Sequence, residues 1–351
     1  MISADVAYPP SADWLRRTMV PTLRRFPDTA TWMSLRAGAA LIGERVGLAA
    51  EVGRGLLDSP ATPRIAMYSP SGQPVSKAIC FLFREGEDEP RIVVKAMAEP
   101  RFDWRLRKEA AVMETIRDRV KGDEGVTSAL PPQPLLADAS AGEFVVAEPF
   151  DPVGVAAGSG TREQAFEWLR AFQLASSPGE RPWDGADEAV AAVRQAWRLA
   201  GRAKEDAVVA RVTALLAPVA TATVPLCAVH GDFWRENVAV RDGRVRVYDW
   251  EWAAVEGSPL FDLWTYELAE LRLLARSGAE SLDDHLAAAL ERVRTELRLR
   301  RLDDGLALAT LAPVLGALSF RIRTRLDMPD EMERHSLRVM AAAERLLEIH
   351  S

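Results

Sequence analysis

Apolar and polar positions follow three different patterns along the chain, and each pattern predicts a different kind of structure. Residues 1–60 carry alanine, leucine, valine and arginine at near-helical spacing, which predicts a helical extension. From Arg64 the pattern changes to short β-branched and aromatic runs separated by glycine, proline and serine, which is typical of strands joined by turns. Strands are predicted at 65–68, 78–83, 92–97, 134–137 and 143–149, with an amphipathic helix at 102–120.

A glycine-rich stretch at 151–160 separates this strand-rich part from a mainly helical remainder. In the remainder we predict a loop at 178–186 and a buried strand at 224–229. Further helices are predicted at 260–274, 285–298, 306–323 and 331–350. The expected domains are therefore an extension over 1–60, a small lobe over 61–150 and a large lobe over 151–351.

Composition narrows the class of protein. The 351 residues are enough for two hydrophobic cores, and the formal net charge of −7 argues against nucleic-acid binding. We identify neither a signal peptide nor an apolar run long enough for a membrane span, and the two cysteines, both in apolar runs, suit a reducing compartment. A cytoplasmic monomer or homodimer with no membrane or nucleic-acid partner is expected, and the four histidines lack zinc-ligand spacing.

The residues with the clearest chemistry lie between 229 and 262. His230-Gly231-Asp232 is followed by Asn237 and then by a β-rich hairpin that ends at Asp249. Transfer of a phosphoryl group to an alcohol needs a carboxylate that orients the hydroxyl, together with hard oxygen ligands for Mg²⁺. Asp232 suits the first role, and Asn237 and Asp249 suit the second. A structural hairpin with a solvated Asp-Gly turn is the alternative interpretation, and His230 is expected to brace the loop.

The turn of this hairpin decides whether the two metal ligands face the same way. A three-residue loop, Arg241-Asp242-Gly243, places Asn237 opposite Val247 and puts Asp249 on the same face, about 7–8 Å away between Cα atoms. A two-residue loop would place the ligands on opposite faces. We therefore predict the bulged three-residue loop or an equivalent irregularity at the strand ends.

The small lobe supplies candidate nucleotide ligands. Lys95 lies near the end of the strand predicted at 92–97 and is a candidate catalytic and phosphate-binding lysine, and Glu109 on the following helix is preferred over Glu114 as its partner. The turn at 69–76 is predicted to cover the phosphates through Ser71 and Gly72, although it lacks a full glycine motif. A surface hairpin with no ligand is the alternative for this turn.

The segments H-G-D-F-W-R-E-N-V and Y-D-W-E-W-A-A-V-E-G-S-P-L-F-D-L resemble the aminoglycoside phosphotransferase and choline kinase superfamily. The resemblance implies an α+β, two-lobed protein-kinase-like fold with an antiparallel small-lobe sheet. It also implies that Asp232 is the catalytic carboxylate, that Asn237 and Asp249 are metal ligands, and that Asp262 is a buried acid bracing the catalytic loop. It is specific for the class of enzyme and says nothing about the substrate.

The same resemblance places the hinge between the lobes after the strand at 143–149. Adenine is expected to contact the backbone carbonyl of Glu148 and the backbone N–H of Phe150, because Pro149 cannot donate.

The expected function is an ATP- and Mg²⁺-dependent phosphotransferase that moves the γ-phosphoryl group to a hydroxyl of a small molecule. An aminoglycoside, an amino alcohol, a sugar or a related natural product would be the acceptor. The helices follow Asp249 without a long activation segment, which favours a small acceptor. The alternatives are a non-catalytic nucleotide-binding regulatory module and a protein kinase.

Overall fold

The computed structural model describes residues 39–57, 63–68, 77–87, 89–140, 143–151, 155–156, 162–182, 205–217, 223–235, 237–241, 243–277, 282–303 and 306–311, with a few isolated positions besides. Contacts divide the chain into two compact units. The first contains residues 1–111 and 130–154, and the second contains residues 112–129 and 155–351.

The described helices and strands follow one another from residue 39 to residue 309. The helices are α1 (Ala39–Leu56), α2 (Asp103–Val120), α3 (Glu124–Thr127), α4 (Arg162–Ser176), α5 (Glu205–Leu216), α6 (Phe261–Ser277), α7 (Leu282–Leu299) and α8 (Leu306–Ala309). The strands are β1 (Arg64–Tyr68), β2 (Lys77–Phe83), β3 (Ile92–Met97), β4 (Leu136–Ser140), β5 (Glu143–Pro149), β6 (Val155–Ala156), β7 (Gly179–Pro182), β8 (Thr223–Val229), β9 (Val238–Arg241), β10 (Arg244–Val247) and β11 (Ala254–Gly257).

The first unit is built on a five-stranded antiparallel sheet in the order β1-β2-β3-β5-β4. One face of the sheet is covered by α1, whose Leu48 and Val52 join a core with Leu82, Val94 and Val145. Burying a side chain of this size stabilises the folded state by roughly 1.5–3 kcal/mol. Helix α1 is therefore part of this unit's core, and the helical prediction is confirmed for residues 39–56, whereas residues 1–38 lie outside the described part.

The opposite face of the same sheet packs against the beginning of α2. Met97, Phe144 and Val146 form a second buried cluster with Leu106 of the helix. The buried carboxylate of Asp103, in the first turn of α2, accepts the backbone N–H of Phe144 at 2.7 Å. This bond fixes the start of α2 to β5.

The second unit contains two three-stranded sheets, in the orders β10-β9-β6 and β11-β8-β7, together with the remaining helices. Strand β8 is flanked by neighbours on both sides and is buried at its carboxyl end. It therefore delivers residue 230 into a packed interior rather than to the surface.

Aromatic side chains form the core of the second unit beneath residue 230. Trp168 stacks on Phe172 at 5.0 Å between ring centroids, and Trp250 meets Phe172 edge-on at 5.5 Å. Phe233, which is fully buried, stacks on Trp168 at 6.0 Å. Edge-to-face and offset pairs of this kind favour fixed ring orientations. The loop that carries Phe233 therefore packs on a well-ordered aromatic cluster.

Buried ion pairs connect the helices of the second unit. Glu267 of α6, which is fully buried, receives two hydrogen bonds from Arg292 of α7, at 2.7 Å and 2.5 Å. Glu296 of α7 is paired in the same two-pronged way by Arg170 of α4. Such bidentate pairs fix geometry because both partners are planar.

The strands predicted at 65–68, 78–83, 92–97 and 143–149 are confirmed, and the strand predicted at 224–229 appears as β8. The strand predicted at 134–137 is observed later in the chain, as β4 over Leu136–Ser140. The helices predicted at 260–274 and 285–298 appear as α6 and α7, and residues 331–350 fall mostly outside the described part. The loop prediction for 178–186 is wrong at its start, because Gly179–Pro182 pairs with β8 as an edge strand. Proline is tolerated there because an edge strand leaves some N–H groups unpaired.

Both cysteines are buried, as expected, and burial raises the pKa of the Cys80 and Cys227 thiols to about 12. Among the described residues, no helix is both long enough and apolar enough to cross a membrane.

Two glycines of α1 provide a matched test of its packing on the sheet. A Cβ at Gly53 would lie 2.7 Å from Cδ1 of the fully buried Leu82, whereas a Cβ at Gly55 would meet nothing within 4 Å. We expect Gly53→Ala to lower the free energy of unfolding by about 1–3 kcal/mol through overpacking. Gly55→Ala should raise it by up to about 1 kcal/mol because alanine is the better helix former.

Urea unfolding followed by tryptophan fluorescence measures both effects. Equal stabilisation by the two substitutions would contradict the packing of α1 against Leu82.

Candidate active site

The loop that follows β8 is held by one buried carboxylate. Asp262, in the first turn of α6, is fully buried and accepts the backbone N–H groups of His230 and Gly231, each at 2.8 Å. Burial raises the pKa of Asp262 above its ordinary value, while His230 and the two backbone N–H groups act in the opposite direction. The bracing role expected of Asp262 is thus observed.

His230 links this loop to the segment that carries Asp249. Its Nδ1 accepts the backbone N–H of Asp232 at 3.2 Å, so that the ring proton is assigned to Nε2, which donates to the carbonyl of Tyr248 at 2.8 Å. The ring is fully buried and packs edge-on against Trp250 at 4.6 Å. His230 therefore braces two segments, as predicted, and its position does not suggest a proton carrier.

Gly231 is required by the course of the backbone. Its φ is +80°, and a Cβ there would lie 2.3 Å from the carbonyl oxygen of Trp252. A side chain is excluded by both the conformation and the space. The backbone at Gly231 therefore packs directly against the backbone of Trp252, immediately before Asp232.

Asp232 and Asn237 are in direct contact. The Asn237 side-chain Nδ2 donates to the backbone carbonyl of Asp232 at 2.9 Å and to its carboxylate Oδ2 at 3.1 Å. These bonds use the amide nitrogen of Asn237 and orient the Asp232 carboxylate. The remaining polar atom of the amide, Oδ1, is a hard oxygen of the type that Mg²⁺ prefers.

The three-residue hairpin loop predicted between β9 and β10 is wrong. The observed register pairs Arg241 with Arg244 and Val238 with Val247, which leaves a two-residue turn with Gly243 at a φ of +73°. In this register Asn237 is opposite Tyr248, whose N–H donates to the Asn237 carbonyl at 2.9 Å. A regular strand would then send the side chains of residues 237 and 249 to opposite faces.

The irregularity occurs instead at the strand end. Asp249 has a φ of +61° and lies two residues beyond the end of β10. An aspartate in the left-handed region breaks the strand's alternation of faces, at a cost of order 1–3 kcal/mol. The sequence analysis allowed for such an irregularity, but the two-residue turn removes the hairpin as the reason why Asn237 and Asp249 would share a face, and their convergence on one ion stays a prediction. Backbone outliers of this kind concentrate at functional sites.

The donor set fits a divalent cation. The candidate ligands are the carboxamide oxygen of Asn237 and the exposed carboxylate of Asp249. Asp232 precedes both in the sequence, and its carboxylate is oriented by the amide of Asn237. Among the described residues there is no cluster of three or more histidine, cysteine, aspartate or glutamate side chains that could hold a metal ion. Mg²⁺ is usually held by one or two protein oxygens together with phosphates and water, and the oxygens of Asn237 and Asp249 are of this chemical type.

The predicted partner of Lys95 is wrong. Glu148 of the neighbouring strand β5 contacts Lys95, with 2.8 Å between Nζ and Oε2. Glu109 on α2 contacts Lys77 instead, with 2.9 Å between Nζ and Oε2. The competing candidate Glu114 is exposed on α2. The prediction failed because helical periodicity shows which face of a helix points inward, but it cannot show which of two strand lysines that face meets.

Sequence reasoning missed Lys77 altogether. It directly follows the serine- and proline-containing segment 69–76 in the sequence and begins β2, and it is 9% exposed. A lysine at an inward-facing position of an otherwise apolar strand was the available signal. Ile79 and Phe81 continue the same face of that strand.

The predicted adenine contact of Phe150 is also wrong. Its backbone N–H donates to the carbonyl of Arg91 at 2.9 Å and extends the pairing of β3 with β5. Glu148 lies within β5 as a partner of Val93, and its carbonyl remains a predicted contact. Ser71 and Gly72 lie outside the described residues.

The loop anchored by Asp262 can be tested without an assay for activity. In Asp262→Asn an amide N–H₂ would replace one acceptor and face a backbone N–H, leaving a buried donor unpaired. We expect the free energy of unfolding to fall by about 1–3 kcal/mol. The matched control is Asp283→Asn, because Asp283 forms an exposed ion pair with Arg345 and its loss should leave the urea midpoint nearly unchanged. An Asp262→Asn protein as stable as the parent would exclude this anchor.

Comparisons with known proteins identify the family and the fold. Residues 81–305 match the model of the phosphotransferase enzyme family called APH. No curated protein matches the chain significantly. Among solved structures, a thermostable mutant of aminoglycoside phosphotransferase APH(4)-Ia with ADP and hygromycin B is 16% identical. It has a TM-score of 0.52, and the alignment covers 86% of this chain and 99% of that one.

A macrolide 2′-phosphotransferase type I is also 16% identical, with a TM-score of 0.52 and coverage of 85% of this chain and 96% of that one. At this identity the structural likeness establishes the fold, which is the α+β protein-kinase-like fold implied by the sequence. The family match spans well over half of the chain, from β2 to the residues just before α8. The chain therefore belongs to the APH phosphotransferase enzyme family.

Proposed function

We propose that this protein transfers the γ-phosphoryl group of ATP to a hydroxyl of a small molecule in a reaction that depends on Mg²⁺. The observation that carries the proposal is the hydrogen bond between Asn237 Nδ2 and the Asp232 carboxylate, on a loop anchored by the buried Asp262. The family match supports the reaction class. The solved structure with ADP and hygromycin B supports a nucleotide and a small hydroxylated acceptor, because the two chains share a fold.

In the proposed reaction the acceptor hydroxyl hydrogen-bonds to the carboxylate of Asp232. The hydroxyl oxygen forms a bond to the γ-phosphorus, the bond from that phosphorus to the β,γ-bridging oxygen breaks, and ADP leaves. The hydroxyl proton passes to the Asp232 carboxylate. Because phosphoryl transfer depends on positioning more than on covalent chemistry, the orientation that Asn237 imposes on Asp232 is the main contribution of this loop.

Asn237 Oδ1 and the Asp249 carboxylate would hold Mg²⁺. When bound, the ion would neutralise charge on the nucleotide phosphates. Lys95 is proposed to contact the α- and β-phosphates. The proposed catalytic residues are therefore Asp232 and Lys95, with Asn237 and Asp249 as metal ligands.

The path of the chain after Asp249 favours a small acceptor over a protein. Residues 250–260 lead through the short strand β11 directly into α6, all within the described part of the chain. A protein kinase would carry a long activation segment at this point. An aminoglycoside, an amino alcohol, a sugar or a related natural product remains the proposed acceptor class.

Acceptor-dependent ADP formation tests the proposal directly. The purified protein with Mg²⁺ and ATP is assayed against aminoglycosides, a macrolide, sugars, amino alcohols and a general protein substrate. We expect at least one small hydroxylated compound to stimulate ADP formation and to gain a phosphate by mass spectrometry. Phosphorylation of the protein substrate alone would indicate a protein kinase. Nucleotide binding without transfer to any acceptor would indicate a regulatory module.

Removing the carboxylate of Asp232 should affect turnover and leave nucleotide binding in place. We expect Asp232→Ala to lower kcat by about 100-fold or more, since general-base catalysis contributes factors of this size. The Kd for ATP, measured by calorimetry, should stay within a few-fold of the parent. Asp232→Asn preserves the shape of the side chain and should show the same loss. The control is Asp206→Ala at an exposed position of α5, and parental turnover in Asp232→Ala would remove this residue from the mechanism.

A further inference from the structure

Three charged side chains lie on the face of the first unit's sheet that packs against α2, and a fourth reaches this face from the helix itself. Lys77 is directly opposite Met97, and Lys95 precedes Met97 by two residues, so both lysines share the face of that buried methionine. Glu148 follows Val146 by two residues on β5, and Val146 belongs to the same buried cluster. Glu109 approaches this face from α2.

These side chains form two separate ion pairs. The Nζ atom of Lys77 lies 2.9 Å from Oε2 of Glu109, and the two side chains are 10% and 12% exposed. Lys95 lies 2.8 Å from Glu148, with side chains 19% and 12% exposed. Removing one member of a pair this deeply buried leaves a charge without its partner, and this is far more costly than loss of a surface pair.

The two pairs differ in what they connect. Lys95 and Glu148 stand on β3 and β5, which are hydrogen-bonded neighbours with Val93 opposite Glu148. Lys77 and Glu109 connect the first residue of β2 to a helix. In protein kinases the strand lysine is instead paired with a helix glutamate, and movement of that helix breaks the pair.

We propose that Glu148 is the positioning residue for Lys95, and that Lys77 and Glu109 form an independent pair that fastens α2 to the sheet. The position of the Lys95 ammonium is then set by the register of two strands and does not depend on α2. The function of this arrangement rests on the proposed role of Lys95 as a phosphate ligand. The pairing itself does not depend on that role.

Double-mutant cycles in urea test the pairing without any nucleotide. The variants are Lys77→Met, Lys95→Met, Glu109→Gln and Glu148→Gln, combined in pairs. For each variant we compare the unfolding equilibrium constant with that of the parent. For Lys77 with Glu109, and for Lys95 with Glu148, we expect the change in the double variant to differ from the product of the two single changes by about tenfold or more. For Lys95 with Glu109 the change in the double variant should equal the product of the two single changes within about twofold. Coupling between Lys95 and Glu109 without coupling between Lys95 and Glu148 would overturn the proposal.

Charge-swapped doubles cover the case in which a single variant does not fold. Lys77→Glu with Glu109→Lys, and Lys95→Glu with Glu148→Lys, should each refold more completely than either of their single reversals. The cross-paired double Lys95→Glu with Glu109→Lys should show no such rescue. Rescue in the cross-paired double alone would overturn the assignment.

Nucleotide affinity separates a positioning role from a structural one. Calorimetry with AMP-PNP and Mg²⁺ should show Glu148→Gln weakening binding by about tenfold and Glu109→Gln by less than about threefold. In a Lys95→Met background Glu148→Gln should cause no further loss, because Glu148 acts through Lys95. The reverse ranking of the two glutamates would contradict the proposal. A parent protein that binds no nucleotide would contradict the proposed function and leave the unfolding cycles to decide the pairing.

Discussion

The geometry of the loop that carries Asp232 depends on its hydrogen bonds to the carboxylate of Asp262. This carboxylate lies in the first turn of α6, where the partial positive charge of the helix terminus also favours an anion, and it holds two consecutive backbone N–H groups. A buried carboxylate without such partners would be strongly unfavourable. Asp262 therefore fixes the backbone between the end of β8 and Asp232.

Rigid packing extends this constraint to the other site residues. His230 transmits it to the carbonyl of Tyr248, immediately before Asp249, and the ring of His230 rests on Trp250. The Asn237 amide transmits it to the carboxylate of Asp232. Asp232 and Asn237 thus belong to one hydrogen-bonded framework, and Asp249 directly follows its last member, Tyr248. Catalysis by orientation requires such a framework because it gains little from side chains that must be ordered during the reaction.

In the first unit, buried charges contribute to the packing of a helix on a sheet. Its sheet is sealed on one face by α1 through apolar packing, while the α2 face combines the Met97 cluster with two buried ion pairs. Apolar contacts hold α1, whereas α2 is held by Leu106, by the Asp103 bond to Phe144 and by the Lys77 pair. Because a buried charge is costly without its partner, each pair restricts where its two side chains can lie.

Much of this could be predicted from the sequence where local signals decide the structure. The strand at 92–97 is observed as β3 with the same bounds, because its β-branched run is bounded by turns. The hairpin turn was not predictable because Asp242-Gly243 suits both a two-residue and a three-residue loop, which differ by one step of register. The partners of Lys95 and Glu109 depend on contacts between distant segments, for which sequence periodicity carries no information. Asp262 and His230 were predictable because the motif around them is specific to the family.

Binding of Mn²⁺ in place of Mg²⁺ tests the central claim most directly. Electron paramagnetic resonance titrations with AMP-PNP would compare the parent with Asp249→Ala and Asn237→Ala. The account predicts one Mn²⁺ bound per chain in the parent and affinity reduced by about tenfold or more in each variant. Unchanged Mn²⁺ affinity in both variants would contradict the assignment of these side chains as the metal ligands of a phosphotransferase site.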